Sequence, residues 1–523
     1  MRKNNKTRLS VLLTAASLAL SLAACSSNAI QTSGSSSTEG SAQTKDITAG
    51  DIKTNEEITN SDNGGHAIEV DNKTEEYSNV KITKTGDSDS GDEADFYGDN
   101  AAVFATNGAT LTLKDIVVDT NGTHANAVFS YGEGTTVNIS DSVITTSGNC
   151  SGGLMTTGGG TMNATNLNIH TTGNSSAAIR SDRGGGTVNV TGGTYKTEGR
   201  GSPVIYSTAN ITVNGAELES TSSQGVVVEG KNSVTLNDVS LVADNNTQNS
   251  DKSDTYQAVM IYQSMSGDAD QGLAEFTMTG GSITNKKGDI FFVNNTVTTI
   301  TLDNVQIVDQ DAEGVLLRAE AAGWGTEGSN GGKVNLYLKN QTQDGDIIVD
   351  KVSALNLYLT SGSTYTGTIN AANEGDVYVE IESGSKWVLT GDSYISSLTC
   401  DADGVDLNGH KLYINGTEYS EGTASQGTAI EMKTDSQGSG NPGDMQGQPP
   451  EGNGQPPQGD PPSGEKPQGD PPGDGQPPQG DPPQGNGQPP QGDPPSGDNQ
   501  PPQGDPPGDG QPPQGDPPTN NES

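Results

Sequence analysis

Five segments of the chain open alike: Ala102-Val103-Phe104-Ala105, Ala127-Val128-Phe129-Ser130, Gly153-Leu154-Met155-Thr156, Ala178-Ile179-Arg180-Ser181 and Val204-Ile205-Tyr206-Ser207. Each leads through a Gly- or Asn-bearing turn into a strand pattern with apolar residues at alternate places. The pairs are Leu111/Leu113, Val137/Ile139, Met162/Ala164, Val188/Val190 and Ile211/Val213, continuing at Val234/Leu236, Phe276/Met278, Ile300/Leu302 and Val334/Leu336. Most spacings are 23 to 26 residues. A unit that short cannot enclose a core alone, so successive units must stack and bury their apolar sides against one another.

The corner after each of these strands narrows the choice further. It holds Asp115, Asp141, Asn166, Gly193, Gly215, Asp238, Gly281 and Asn304. Gly, Asn and Asp are the residues that enter left-handed backbone at low cost, so a sharp left-handed bend recurs once per unit. Alternation with a period of two indicates strand and not helix. The Leu-x-x-Leu-x-Leu frame of leucine-rich repeats is absent, and a propeller blade needs about 40 residues. The fold expected is all-β, a parallel β-helix over 51–420.

Outside this interval the composition changes. Arg2, Lys3, Lys6 and Arg8 precede an apolar stretch from Leu9 to Leu22 and then Leu22-Ala23-Ala24-Cys25. That order reads as a signal peptide over 1–24, too short to span a bilayer stably. The Leu-Ala-Ala-Cys run resembles the lipobox of bacterial lipoproteins, which implies lipidation at Cys25, a membrane anchor and an extracytoplasmic location. A Ser/Gly/Thr-rich linker over 25–50 follows. Only Pro203 precedes Pro442, whereas variants of Gln-Pro-Pro-Gln-Gly-Asp-Pro-Pro recur to the end, and no aromatic residue lies beyond Tyr419. The tail over 421–523 is therefore expected to be disordered and partly polyproline-II.

Losing residues 1–24 removes four positive charges and no acid, taking the net charge from −41 to −45. A polyanion of this size excludes nucleic acid as a partner. Cys150 and Cys400 fall roughly eight turns apart, about 40 Å, beyond the reach of a disulfide. Free, packed thiols are expected, in a monomer.

Several stretches carry a family resemblance: Tyr97-Gly98-Asp99-Asn100-Ala101-Ala102, Arg180-Ser181-Asp182-Arg183-Gly184-Gly185-Gly186, Tyr262-Gln263-Ser264-Met265-Ser266-Gly267-Asp268-Ala269-Asp270 and Leu407-Asn408-Gly409-His410-Lys411-Leu412-Tyr413. They are similar to those of a group of β-helical lipoproteins widespread in Firmicutes and usually called adhesin-like or carbohydrate-binding. Over roughly 60–415 the chain resembles the right-handed parallel β-helix of pectate lyases, polygalacturonases and many bacterial adhesins. The resemblance implies the fold and a surface-binding class, without a mechanism.

Candidate binding residues come from departures from the regular turn. The spacing lengthens to 42 between Val234 and Phe276 and to 34 between Ile300 and Val334, through Ala243–Tyr256, Ser264–Gly272 and Ala319–Gly332. Insertions of this kind form loops on one face. Trp324, in the last of them, suits either stacking on a sugar or covering the wall. If Val103, Val128, Leu154, Ile179 and Ile205 point inward, then Phe104, Phe129, Met155, Arg180 and Tyr206 form an outward ladder about 4.8 Å apart, a spacing suited to a glycan. The alternatives are that residues 50–100 lie over this face or that the register is reversed. Arg180, Asp182 and Arg183 read as an anion-binding pair or as a salt-bridged wall. Asp87, Asp89, Asp92 and Asp95 alternate around a glycine as calcium ligands do, or form a solvated acidic turn; no other cofactor is expected.

The Gly-His-Gly and Arg-x-Lys motifs of polygalacturonases are absent, and His66, His124, His170 and His410 share no repeated acidic partner. General acid/base chemistry has no evident carrier. The function expected is a non-enzymatic, adhesin-like surface lipoprotein binding carbohydrate. The alternatives are a polysaccharide lyase or hydrolase, and a passive envelope spacer.

Overall fold

The structure is a computed structural model describing residues 47–88 and 90–433. Cys25, most of the 25–50 linker and the proline-rich repeats lie outside the described residues, and so do the expectations placed on them. The chain is a parallel β-helix. It visits three long sheets in rotation, sheet A of ten strands, sheet B of eleven and sheet C of thirteen. Glu56–Asn60 lies in A, Ile68–Asp71 in B, Thr74–Ser78 in C, and Val80–Lys84 is back in A, paired in parallel with the first.

The alternating pairs stack in register along sheet C. Leu111 sits opposite Val137, Val137 opposite Met162, and so on to Phe276 opposite Ile300. The last expected pair is displaced by two, since Ile300 faces Leu336 and Val334 faces Thr298. These apolar side chains are essentially fully buried, and each contributes on the order of 1.5–3 kcal/mol by leaving water. All eight expected corners are left-handed, with φ between 50° and 91°.

A second corner recurs as Thr-x-Gly-x-x-Ser, at Thr146/Gly148/Ser151, Thr171/Gly173/Ser176 and Thr197/Gly199/Ser202. Here the polar groups turn inward and are consumed. Thr171 Oγ1 donates to the Ser176 carbonyl at 2.6 Å, and Ser176 Oγ donates to the Gly148 carbonyl of the previous turn at 3.1 Å. A Cβ on Gly173 would lie 1.8 Å from the Gly148 oxygen, so the backbones close to a distance that only glycine permits.

Sheet A ends with Gln306–Asp309, and a four-stranded sheet starting at Thr342–Asp344 takes its place in the rotation. The last strand, Thr417–Glu418, pairs antiparallel with Leu412–Ile414. That reversal ends the parallel stack instead of offering another edge for extension. Cys150 and Cys400 are free. No helix among the described residues is long and apolar enough to cross a membrane.

Candidate functional site

The outward ladder exists, on sheet B, and runs further than its first five members. Phe104 pairs with Phe129, Phe129 with Met155, Met155 with Arg180 and Arg180 with Tyr206; Val227, Met260, Phe292, Arg318 and Ile348 continue the row. Val103, Val128, Leu154, Ile179 and Ile205 face the core.

Its first part is roofed, which corrects the expectation of an open platform at Phe104 and Phe129. Between sheet A and sheet B the segment after Lys84 leaves the wall and folds back as a short helix, α1 (Asp92–Tyr97). Phe104 is 8% exposed and Phe129 and Met155 are sealed, packed with Ala101 and Tyr131 in a small second core. Gly98 allows the closure: its φ is 79°, and a Cβ there would lie 2.6 Å from the Phe104 ring.

The roof also decides the fate of the charged candidates. Asp95, buried on α1, accepts from Arg180 Nη1 at 3.1 Å and from Asn126 Nδ2 at 3.0 Å, with His124 Nδ1 3.2 Å away. Burial would raise the Asp95 carboxyl, but Arg180, His124 and Asn126 together hold it below its ordinary value. Arg180 Nη2 donates to Asp182 at 2.9 Å. Burial pushes Asp182 up to about 6, against the pull of Arg180. Arg183 donates to Asp268 at 2.6 Å and lies 3.9 Å over the Phe96 ring. Both guanidinium groups are thus paired with carboxylates: Arg180 is enclosed, while Arg183 stays on the surface. The calcium reading is corrected as well. Asp95 turns inward to Arg180, Asp87 accepts the Thr123 N–H at 2.7 Å, Asp92 is exposed, and Asp89 lies outside the described residues.

Beyond the roof the face opens. The two long spacings form three loops, over 244–256, 263–272 and 320–331, all beside sheet B. Gly323 N donates to the Lys252 carbonyl at 2.7 Å, joining the first loop to the third. Trp324 is half-buried, edge-on to Tyr262 at 5.2 Å, and Asn330 Nδ2 holds its carbonyl at 2.8 Å. Trp324 therefore leans on the wall and also lines what remains open.

That opening is a cleft of about 120 Å³ between the loops. Tyr206, Tyr256, Tyr262, Met260 and Trp324 supply its apolar surfaces; amides and hydroxyls such as Gln224, Asn245, Gln248 and Asn249 supply the rest. No Asp, Glu, Lys, Arg or His lines it. Behind it Glu229, 1% exposed, accepts from Tyr206 Oη at 2.5 Å, Tyr262 Oη at 3.1 Å and the Ser264 N–H and hydroxyl. Burial raises both tyrosine hydroxyls well above their ordinary value, so they stay neutral donors and fix the rings. Sequence reasoning passed over Glu229, although its signal was present: it follows Val227 by two on the strand Val226–Glu229 and so shares the outward face.

The fold and the cleft together define a parallel β-helix with a loop-walled, uncharged aromatic cleft on sheet B and, further along the same face, a larger opening of about 660 Å³ lined by Glu313, Glu320, Asp346, Asp350 and Glu374. No protein-family model, curated protein or solved structure matches the chain.

Proposed function

We propose that this protein is a non-enzymatic, adhesin-like surface lipoprotein, anchored through Cys25, that binds a neutral saccharide in the sheet B cleft. The observation that carries the reading is the lining. In a chain of net charge −41, the cleft has aromatic faces and neutral amides and no Asp, Glu, Lys, Arg or His. Aromatic rings stack on the C–H faces of sugars while amides and hydroxyls match their hydroxyl groups. The lining has no carboxylate or imidazole, and the hydroxyls of Tyr206 and Tyr262 are tied back to Glu229, which favours holding a glycan over cleaving one. The cleft's size suits the end or one edge of a glycan, not a chain laid along the face.

The test is a glycan array and polysaccharide pull-down with the full chain, beside Trp324→Ala and Gln248→Ala. Saturable binding to neutral glycans, weakened about tenfold or more in both variants, supports the reading. Binding indifferent to both substitutions, or new reducing ends appearing in the polysaccharide, overturns it. Radiolabelled fatty acid incorporated by the wild type and not by Cys25→Ala tests the anchor.

A further inference from the structure

His124 and Cys150 occupy the same corner on successive turns. Their φ values are 55° and 56°, and the next turns place Ser175 and Gly201 there. The turns are tied at this point, since His124 N donates to the Asn149 carbonyl at 2.9 Å. Helix α1 lowers Asp95 onto the pair. A carboxylate oxygen of Asp95, a ring nitrogen of His124 and Cys150 Sγ all lie within 4.8 Å of one another, the only such gathering among the described residues. His124 is 8% exposed; its Nδ1 is buried 3.2 Å from Asp95 Oδ2 yet out of hydrogen-bonding alignment with it. A buried nitrogen, an oxygen and a sulfur this close together, the nitrogen held to the oxygen by an ion-pair contact without hydrogen-bond alignment, have the arrangement of a ligand set.

We propose that Asp95, His124 and Cys150 form a three-ligand site for a divalent transition ion of the zinc type, with a fourth position left to water. Nitrogen, oxygen and sulfur donors together suit zinc or cobalt and disfavour calcium or magnesium. The neighbouring charges agree. Arg180 shares Asp95 and is itself balanced by Asp182. Once His124 has given up to water the proton that Asp95 favours on it, two carboxylates and a thiolate, less one guanidinium, leave two negative charges, which one divalent ion neutralises. Coordination forms the Cys150 sulfur–metal bond and releases the thiol proton to water.

A cysteine–histidine nucleophile is the competing use of these residues. It requires a thiolate at rest, whereas burial, followed by the charge of Asp95, pushes the Cys150 thiol up. An ion here would pin α1, through Asp95, to the two turns carrying His124 and Cys150, and so hold the roof over Phe104, Phe129 and Met155.

The experiment is titration of the full chain with Zn²⁺ against a chromophoric chelator, and with Co²⁺ followed by absorption. The variants keep the corner: Cys150→Ser carries what the next turn has at Ser175, and His124→Asn places an asparagine in left-handed backbone, which it enters readily. Circular dichroism confirms that each is folded. The expected result is one ion per chain, with a thiolate-to-cobalt charge-transfer band. The band should be absent in Cys150→Ser, and affinity should weaken at least about tenfold in each variant. Zn²⁺ should slow amide exchange in α1 only in the wild type. No binding at micromolar Zn²⁺, binding unchanged in both folded variants, or binding lost equally in Cys400→Ser overturns the proposal.

Discussion

Replacing Arg318 with methionine measures what one buried ion pair contributes to the outer face of sheet B. Arg318 stands in the outward row between Phe292 and Ile348 and donates to Asp289 at 2.6 and 3.4 Å and to Glu320 at 3.3 Å. Asp289 is 3% exposed, and burial raises its carboxyl from 3.8 to about 6 in spite of Arg318. Methionine replaces much of the stem's volume and none of its charge. Asp289 must then stay ionised without its partner or take up a proton. Because Asp289 is already raised to about 6 in the wild type, proton uptake limits the added loss to about 2 kcal/mol at about pH 7.5 and to almost nothing at about pH 5, at roughly 1.36 kcal/mol per pH unit. Breaking a buried pair generally costs about 3–5 kcal/mol when the remaining charge stays ionised; here proton uptake by Asp289 should hold the loss to about 2 kcal/mol near neutrality, shrinking further on acidification. The sign follows from linkage. A carboxyl raised in the folded state holds its proton more tightly there than in the unfolded chain. Falling pH therefore favours folding from about 6 downward, and from a higher pH in the variant, whose Asp289 is raised further. Denaturant unfolding at both pH values, with hydrogen exchange read on Asp289–Asn294 and Val315–Ala319, makes the comparison. A loss under about 1 kcal/mol near neutrality, or one equal at both pH values, would refute the reasoning.

Gly173→Ala drives a Cβ to 1.8 Å from the Gly148 oxygen, whereas Gly215→Ala meets nothing within 4 Å and carries only its left-handed φ of 59°. The first should cost at least about 3 kcal/mol and the second about 1–2, compared by denaturation midpoint. Glu229→Gln leaves two tyrosine hydroxyls and Ser264 competing for a weaker acceptor. It should cost about 1–3 kcal/mol and speed amide exchange in 263–272. With Cys150 and Cys400 free, reductant should leave the melting temperature unchanged, and a fall of several degrees would show that a disulfide had formed.

The fold was legible because its strongest constraints are local and repeated. Asp115 and its seven counterparts report a backbone angle that few residues accept, and pairs such as Val137/Ile139 report which side of a strand is buried. The ladder from Phe104 to Tyr206 followed from the same alternation. That residues 50–100 could cover the ladder was legible too, but not how they are fastened there. The stretch around Asp95 has the spacing of a calcium loop, and its burial is decided by Arg180, 85 residues away. The inward polar corner of Thr171, Gly173 and Ser176 looks like ordinary turn composition until three copies are aligned. Trp324 was open between two roles because its environment comes from Tyr262 and Asn330 jointly, and no spacing rule connects them.

In a stack of this kind the strand-to-strand hydrogen bonds lie along the axis, so tension between residue 47 and the cleft would open them one turn after another. Helix α1 changes that loading. The Phe96 carbonyl accepts from Thr157 and Asp95 accepts from Arg180, while Arg183 passes the connection to Asp268 beside the cleft. A pull cannot part the turns carrying Phe129, Met155 and Arg180 singly without also tearing this strap. The protein should therefore yield under force in one large step there, and by single turns in the unstrapped part of the stack.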